Sequence, residues 1–162
     1  MSIALCPGSY DPVTKGHMDI IRRTAGVFDE VVVLVVQNRA KIPTFTLEER
    51  ADMIRRAAAD LPNVRVDCSA GLLVDYAKEH GVNVMVKGLR AVTDFEDEFQ
   101  QALINKKLYP QLETMFMSTG LEYMYLSSSM VRQIAAEGRD ITDFVPDVLC
   151  EEIMNKLYKP QK

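Results

Sequence analysis

The 162-residue sequence predicts an α/β fold, a doubly wound parallel sheet in a single domain over residues 1–162, and three observations predict it. Residues 31–36 are an unbroken run of Val and Leu, which marks a strand buried on both faces. Shorter apolar runs at 64–66, 82–86 and 114–117 are separated from one another by helical patterns, so the order is β-α-β-α. At the start of the chain a strand-like segment, residues 2–6, leads through a turn into an amphipathic helix.

That first unit carries the most chemistry. Pro7-Gly8 and Asp11-Pro12 break the strand, and from His17 the apolar residues Met18, Ile20, Ile21, Ala25 and Phe28 return at helical spacing. A helix N-terminus offers unpaired N–H groups and a partial positive charge, so it stabilises an anion placed there. Gly16 would let phosphate oxygens approach the backbone, with Ser9, Thr14 and His17 as further hydrogen-bonding groups. His17 sits where the helix dipole disfavours an imidazolium, so a neutral ring is expected.

The remaining elements follow in order. Thr46-Leu47-Glu48-Glu49 has the form of a capping box and predicts a helix over 47–59. A helix over 72–80 closes at Gly81, with His80 as a structural residue in its last turn. Thr93-Asp94-Phe95-Glu96 reads as a second capping box, opening a helix through Phe99, Leu103 and Lys107. One of Ser127, Ser128 and Ser129 should cap the helix carrying Val131, Ile134 and Ala135. Pro146 suits the first position of a last helix over 147–157, whose Val148, Leu149, Ile153, Met154 and Leu157 serve either the core or an interface.

Composition narrows the function. A net charge of −4 argues against a protein that coats nucleic acid. No apolar run is long enough to span a bilayer and no secretory leader is visible, so the chain reads as cytoplasmic, with no membrane partner. Cysteines 6, 68 and 150 lack metal-ligand spacing and read as reduced thiols.

In a doubly wound sheet, ligands bind at the carboxyl ends of the strands. The turns after strands 1, 2 and 4, and the start of the Ser127 helix, converge on that edge. They bring together Lys41, Lys87 and Arg90 with Ser9, Thr14, His17 and the three serines, an electropositive pocket in an acidic protein. In Lys87-Gly88-Leu89-Arg90 the glycine permits close approach between two cations. The sequence has no P-loop, GxGxxG, GxSxG or HExxH motif, and no evident nucleophile–base pair. Phosphate donors without a base suit a transfer whose nucleophile is already ionised, such as a phosphate attacking the α-phosphorus of ATP.

Four blocks carry a resemblance. Residues 7–17, with Thr14-x-Gly16-His17 in place of the nucleotidyltransferase superfamily's usual HxGH, together with residues 45–50, 87–96 and 127–132, resemble the phosphopantetheine adenylyltransferase family in order and spacing. The match runs over nearly the whole chain and implies a Rossmann-like nucleotidyltransferase fold. It also implies adenylyl transfer from ATP to 4′-phosphopantetheine, giving dephospho-coenzyme A and pyrophosphate in coenzyme A biosynthesis, with Mg²⁺ on the triphosphate.

By position, the resemblance makes His17, Lys41 and Arg90 catalytic. ATP would be bound by Ser9, Tyr10, His17, Gly88, Leu89, Arg90, Glu98, Tyr123, Met124, Tyr125, Leu126, Ser127, Ser128 and Ser129. The acceptor would be bound by Ser9, Lys41, Leu73 and Lys87. Tyr123-Met124-Tyr125 departs from the tryptophan-containing form of its block. The family also implies a homohexamer with coenzyme A as feedback inhibitor. Two other readings stand beside this one: a related enzyme using nicotinamide mononucleotide or glycerol phosphate as acceptor, and a nucleotide sensor without turnover.

Overall fold

Strands β1 (Ile3–Gly8), β2 (Glu30–Val36), β3 (Val64–Ser69), β4 (Val84–Leu89) and β5 (Glu113–Ser118) run parallel in the order β3-β2-β1-β4-β5. The computed structural model describes residues 1–160, with Val92 and Thr93 given by their backbone alone. Helices α1 (Lys15–Ala25), α2 (Leu47–Ala57), α3 (Leu73–Glu79) and α4 (Val92–Leu108) make the crossovers; α5 (Ser128–Ala136) and α6 (Cys150–Leu157) follow the last strand. No helix among the described residues is long and apolar enough to cross a membrane.

Alternation along the strands divides the core into two layers. Ala4, Cys6, Val31, Val33, Val35 and Val86 face α1, α2, α5 and α6, whereas Leu5, Val32, Leu34 and Met85 face α3. The Val/Leu run of β2 is fully buried because it lies beneath helices on both sides. The same alternation assigns two neighbouring residues of β4 to opposite faces. Gly88 faces α1, where an added Cβ would meet Ile20 Cγ1 at 2.9 Å, and Lys87 faces α4, where it pairs with Glu98. The missing side chain of Gly88 is therefore used by helix packing, not by an approach between cations.

Several boundaries differ from the sequence reading. β1 continues through Pro7 and Gly8, which pair with Leu34 and Val35, because the ladder to β2 continues on that side. On the other side the β1–β4 ladder ends at Leu5↔Met85, before the proline whose missing N–H would weaken it. β4 extends over Lys87, Gly88 and Leu89, held by β5 through Leu89↔Ser118, so only Arg90 of that cluster lies in a turn.

Helix α4 starts at Val92 with Ala91 in the cap position; the capping box expected at Thr93 rests on a side chain outside the described residues. The last helix is preceded by a single 3₁₀ turn, Asp147–Leu149, with Pro146 just ahead of it. There Leu149 and Ile153 are core, with Met154 and Leu157 packed against it, while Val148 is exposed. The Thr46–Glu49 box is present with both reciprocal hydrogen bonds, and Gly81 takes the left-handed conformation at φ 63°. His80 stacks on Tyr76 at 3.9 Å and its Nδ1 lies 2.9 Å from the Tyr76 carbonyl, which is a structural role.

Candidate active site

At the carboxyl edge, where β1 and β4 part, the structure opens a cleft of roughly 490 Å³, within the usual range for a small-ligand site. Of the residues singled out by sequence, Ser9, Tyr10, His17, Lys41, Lys87, Gly88, Arg90, Glu98, Tyr123, Leu126 and all three serines line it. Leu73, Leu89, Met124 and Tyr125 lie outside its wall. Leu73 opens α3 and packs against the Leu5–Val32 layer, and Tyr125 turns its edge to Phe144.

His17 is the third residue of α1 and is fixed by the helix cap. Its backbone N–H donates to Thr14 Oγ1 (3.3 Å), and the Thr14 N–H donates to its Nδ1 (3.0 Å). An acceptor at Nδ1 carries a lone pair, so the ring proton sits on Nε2. Among the described residues nothing pairs with Nε2, yet no buried side-chain polar atom is left unsatisfied. Nε2 therefore opens onto the cleft as a donor. Burial, followed by the Arg90 and Lys87 cations, pushes the imidazole from 6.5 down to about 4. The ring is neutral at physiological pH, and the Thr14 hydroxyl serves this cap and is not free for a ligand.

Tyr10 is buried, with φ at 49°. Its hydroxyl donates to the Cys6 carbonyl (2.9 Å) and its ring meets His17 edge-on at 5.0 Å. It packs the histidine in place and turns its hydroxyl away from the cleft. Cys6 is buried and its thiol is pushed up to about 11 by desolvation, so it stays protonated and supplies no nucleophile.

The three cations are held differently. Lys41 follows a short turn in which its N–H donates to the Asn38 carbonyl (3.2 Å), and among the described residues its amine has no carboxylate partner. Lys87 pairs with Glu98 (3.3 Å). Arg90 donates from Nε to Asp94 (3.2 Å) and from Nη1 to the Leu126 carbonyl (2.6 Å). Ser127 caps α5, its Oγ accepting from the Met130 N–H (3.2 Å). Ser128 donates to the Pro12 carbonyl (2.7 Å), and Ser129 Oγ lies 3.2 Å from Ser127 Oγ. Both α1 and α5 thus begin on the cleft wall, and each presents an N-terminus to an anion there.

Sequence reasoning missed three residues that shape this wall. Asp11 accepts from the N–H groups of Thr44 and Phe45 (2.9 Å each), tying the β1–α1 turn to the segment before α2. Arg132 of α5 donates to the Asp11 carbonyl (2.5 Å). Arg50, only 2% exposed, donates to the carbonyls of Ser9 (2.7 Å), Phe45 (3.0 Å), Thr46 (3.2 Å) and Val36 (3.3 Å). The only available signal was that Arg50 falls on the apolar face of its helix, next to Ala51 and Ile54.

The carboxylates do not make a metal cage. Among the described residues no three His, Cys, Asp or Glu side chains are grouped as ligands, and Asp11, Asp94 and Glu98 are engaged as above.

Comparison with known proteins agrees with this chemistry. Residues 5–134 match the cytidylyltransferase-like family. The phosphopantetheine adenylyltransferase of Dictyoglomus turgidum is 56% identical over 153 residues, 94% of this chain and 96% of that protein. The enzyme of the same name from Heliobacterium modesticaldum is 51% identical over 156 residues, 96% and 93% of the two chains. A solved structure described as a candidate nicotinate-nucleotide adenylyltransferase from Vibrio parahaemolyticus superimposes with a TM-score of 0.72 over 99% of this chain and 98% of its own. At 18% identity that likeness shows the fold alone.

The two histidines make the His17 geometry accessible to NMR. Its ¹⁵N shifts should give the Nε2–H tautomer at neutral pH and a midpoint near 4; a midpoint at 6.5 would contradict the geometry. Because the unfolded imidazole titrates higher, His17 favours the folded state fully above pH 6.5. That contribution is lost as pH falls from 6.5 towards 4.

Proposed function

Because the chain belongs to the phosphopantetheine adenylyltransferase family, we propose that it transfers the adenylyl group of ATP to 4′-phosphopantetheine, giving dephospho-coenzyme A and pyrophosphate. An oxygen of the acceptor's phosphate bonds to the α-phosphorus, the bond from that phosphorus to the oxygen bridging to the β-phosphate breaks, and its electrons leave with pyrophosphate. The nucleophile is already ionised, so the step needs no general base. The observation that carries this reading is a neutral His17 locked by Thr14, with Nε2–H open to a cleft ringed by Lys41, Lys87 and Arg90.

In this reading His17 donates to the α-phosphate as charge gathers on it, and Arg90 with the α1 and α5 N-termini holds the ATP phosphates. Lys41 and Lys87 bracket the acceptor's phosphate from opposite sides of the β1–β4 gap, offsetting repulsion between two anions. Magnesium would arrive on the triphosphate as part of the substrate. We also propose a cytoplasmic homohexamer inhibited by coenzyme A. Self-association is supported by α4, none of whose described side chains is buried although Phe95, Phe99, Leu103, Ile104 and Leu108 lie along it.

Pyrophosphate release with each acceptor separates the alternatives: 4′-phosphopantetheine should turn over, while nicotinamide mononucleotide and glycerol phosphate should not. Turnover of either of those, or tight ATP binding with no release, would replace this reading. His17→Ala should lower kcat/KM by about 10²–10³-fold with little change in ATP affinity, the scale of one well-aimed transition-state donor. Lost ATP binding at unchanged kcat would assign the ring to the ground state.

Lys41→Ala and Lys87→Ala should each raise KM for phosphopantetheine more than KM for ATP. Folded variants with unchanged constants would move the acceptor elsewhere. For the assembly, Phe99→Glu combined with Leu103→Glu should shift sedimentation to smaller species. An unchanged sedimentation profile would remove α4 from the interface.

A further inference from the structure

We propose that Asp94 is a positioning residue for the adenylyl transfer, holding Arg90 with one edge turned to the ATP phosphates. This rests on the assignment of Arg90 to ATP made above. Arg90 is the first residue past β4 and would otherwise be a long side chain free to sample many rotamers. Asp94 Oδ2 takes its Nε–H (3.2 Å) and also lies within reach of its backbone N–H (3.4 Å). The Leu126 carbonyl takes Nη1 (2.6 Å).

These contacts use Nε and Nη1, and among the described residues Nη2 is left for a ligand. The carboxylate does not sit across the two terminal nitrogens, where a phosphate would have to displace it. Asp94 is in the first turn of α4, where the helix dipole favours a carboxylate.

The clasp has a second consequence. Leu126 immediately precedes Ser127, the residue that caps α5. Asp94 holding Arg90, and Arg90 holding Leu126, tie the end of β4 and the first turn of α4 to the N-terminus of α5. The cation and one of the two helix ends assigned to ATP are thereby set relative to each other before ATP arrives. Pre-arranged donors cost less to order on binding, so this geometry is worth ATP affinity even though Asp94 repels phosphate at a distance.

The test is a double-mutant cycle on Asp94→Ala and Arg90→Ala, with steady-state constants for both substrates and a melting curve for each protein. Asp94→Ala should raise KM for ATP about 3- to 10-fold, the scale of one half-exposed ion pair, and leave KM for phosphopantetheine within about 2-fold. Asp94→Asn, which keeps an oxygen facing Nε, should fall between wild type and the alanine variant. In the Arg90→Ala background Asp94→Ala should add nothing, because the residue acts through Arg90.

Additive effects, equal losses for both substrates, or tighter ATP binding in Asp94→Ala would each overturn the proposal. If Arg90→Ala leaves ATP binding unchanged, the assignment of Arg90 falls and the proposal with it. If Arg90→Ala weakens ATP but Asp94→Ala does not, the proposal alone falls.

Discussion

The site depends on β1 being paired along its whole length on one side and only at Ala4 and Leu5 on the other. This is the point where the crossovers reverse direction: α1 and α2 cover one face, and the connections through α3 and α4 return on the opposite face. Beyond Leu5 the backbone of β1 has no neighbour on the β4 side, and Pro7 stands in that unpaired stretch. Groups from both layers reach one cleft only through this opening. His17 comes from the α1 side, while Lys87, on the face of β4 turned to α4, reaches it from beneath. A sheet zipped to its end between β1 and β4 would leave these two groups on opposite sides of a closed surface.

An acidic chain collects its positive charge at this opening, and it must do so without destabilising itself when no anion is present. α4 resolves the conflict. Glu98 pairs with Lys87, and Asp94 pairs with Arg90 one helical turn earlier. The histidine is treated in the opposite way. Burial, Arg90 and Lys87 all disfavour a further cation, and the Thr14 N–H occupies the nitrogen that would have to be protonated. What remains is a donor without charge, which interacts weakly with ground-state anions and more strongly with an oxygen that gains charge in the reaction.

Features governed by local chemistry were legible in the sequence. The β-branched run of β2, the Thr46–Glu49 box, Gly81 at a helix end and a serine cap on α5 each follow from forces acting within a few residues. The convergence of the cations was legible as well, because strand order and crossover handedness fix which edge the turns share. Features set by partners distant in the chain were not. Pro7 and Gly8 look like a break but continue a strand because β2 supplies the ladder. Lys87 looks like a turn residue but lies in β4 because β5 holds it there. Gly88 suggests a close approach between two cations, yet Ile20 takes the space a side chain there would need.

Arg50 is the clearest case of such long-range control. A buried guanidinium loses hydration that one or two hydrogen bonds do not restore, so it persists only where several acceptors converge. Here the carbonyls of Ser9, Val36, Phe45 and Thr46 converge, from the end of β1, the end of β2 and the entry to α2. Ser9 and Arg50 itself line the cleft. Asp11 ties the same segments together by accepting from Thr44 and Phe45. An apolar residue at position 50 could fill the volume but would leave the Ser9 carbonyl without its donor. The wall around Ser9 and Lys41 is thus held by polar bonds to backbone atoms, which fix position more narrowly than apolar packing does. In the proposed reaction that accuracy matters, because in-line attack requires the incoming oxygen to be placed to within a fraction of an ångström.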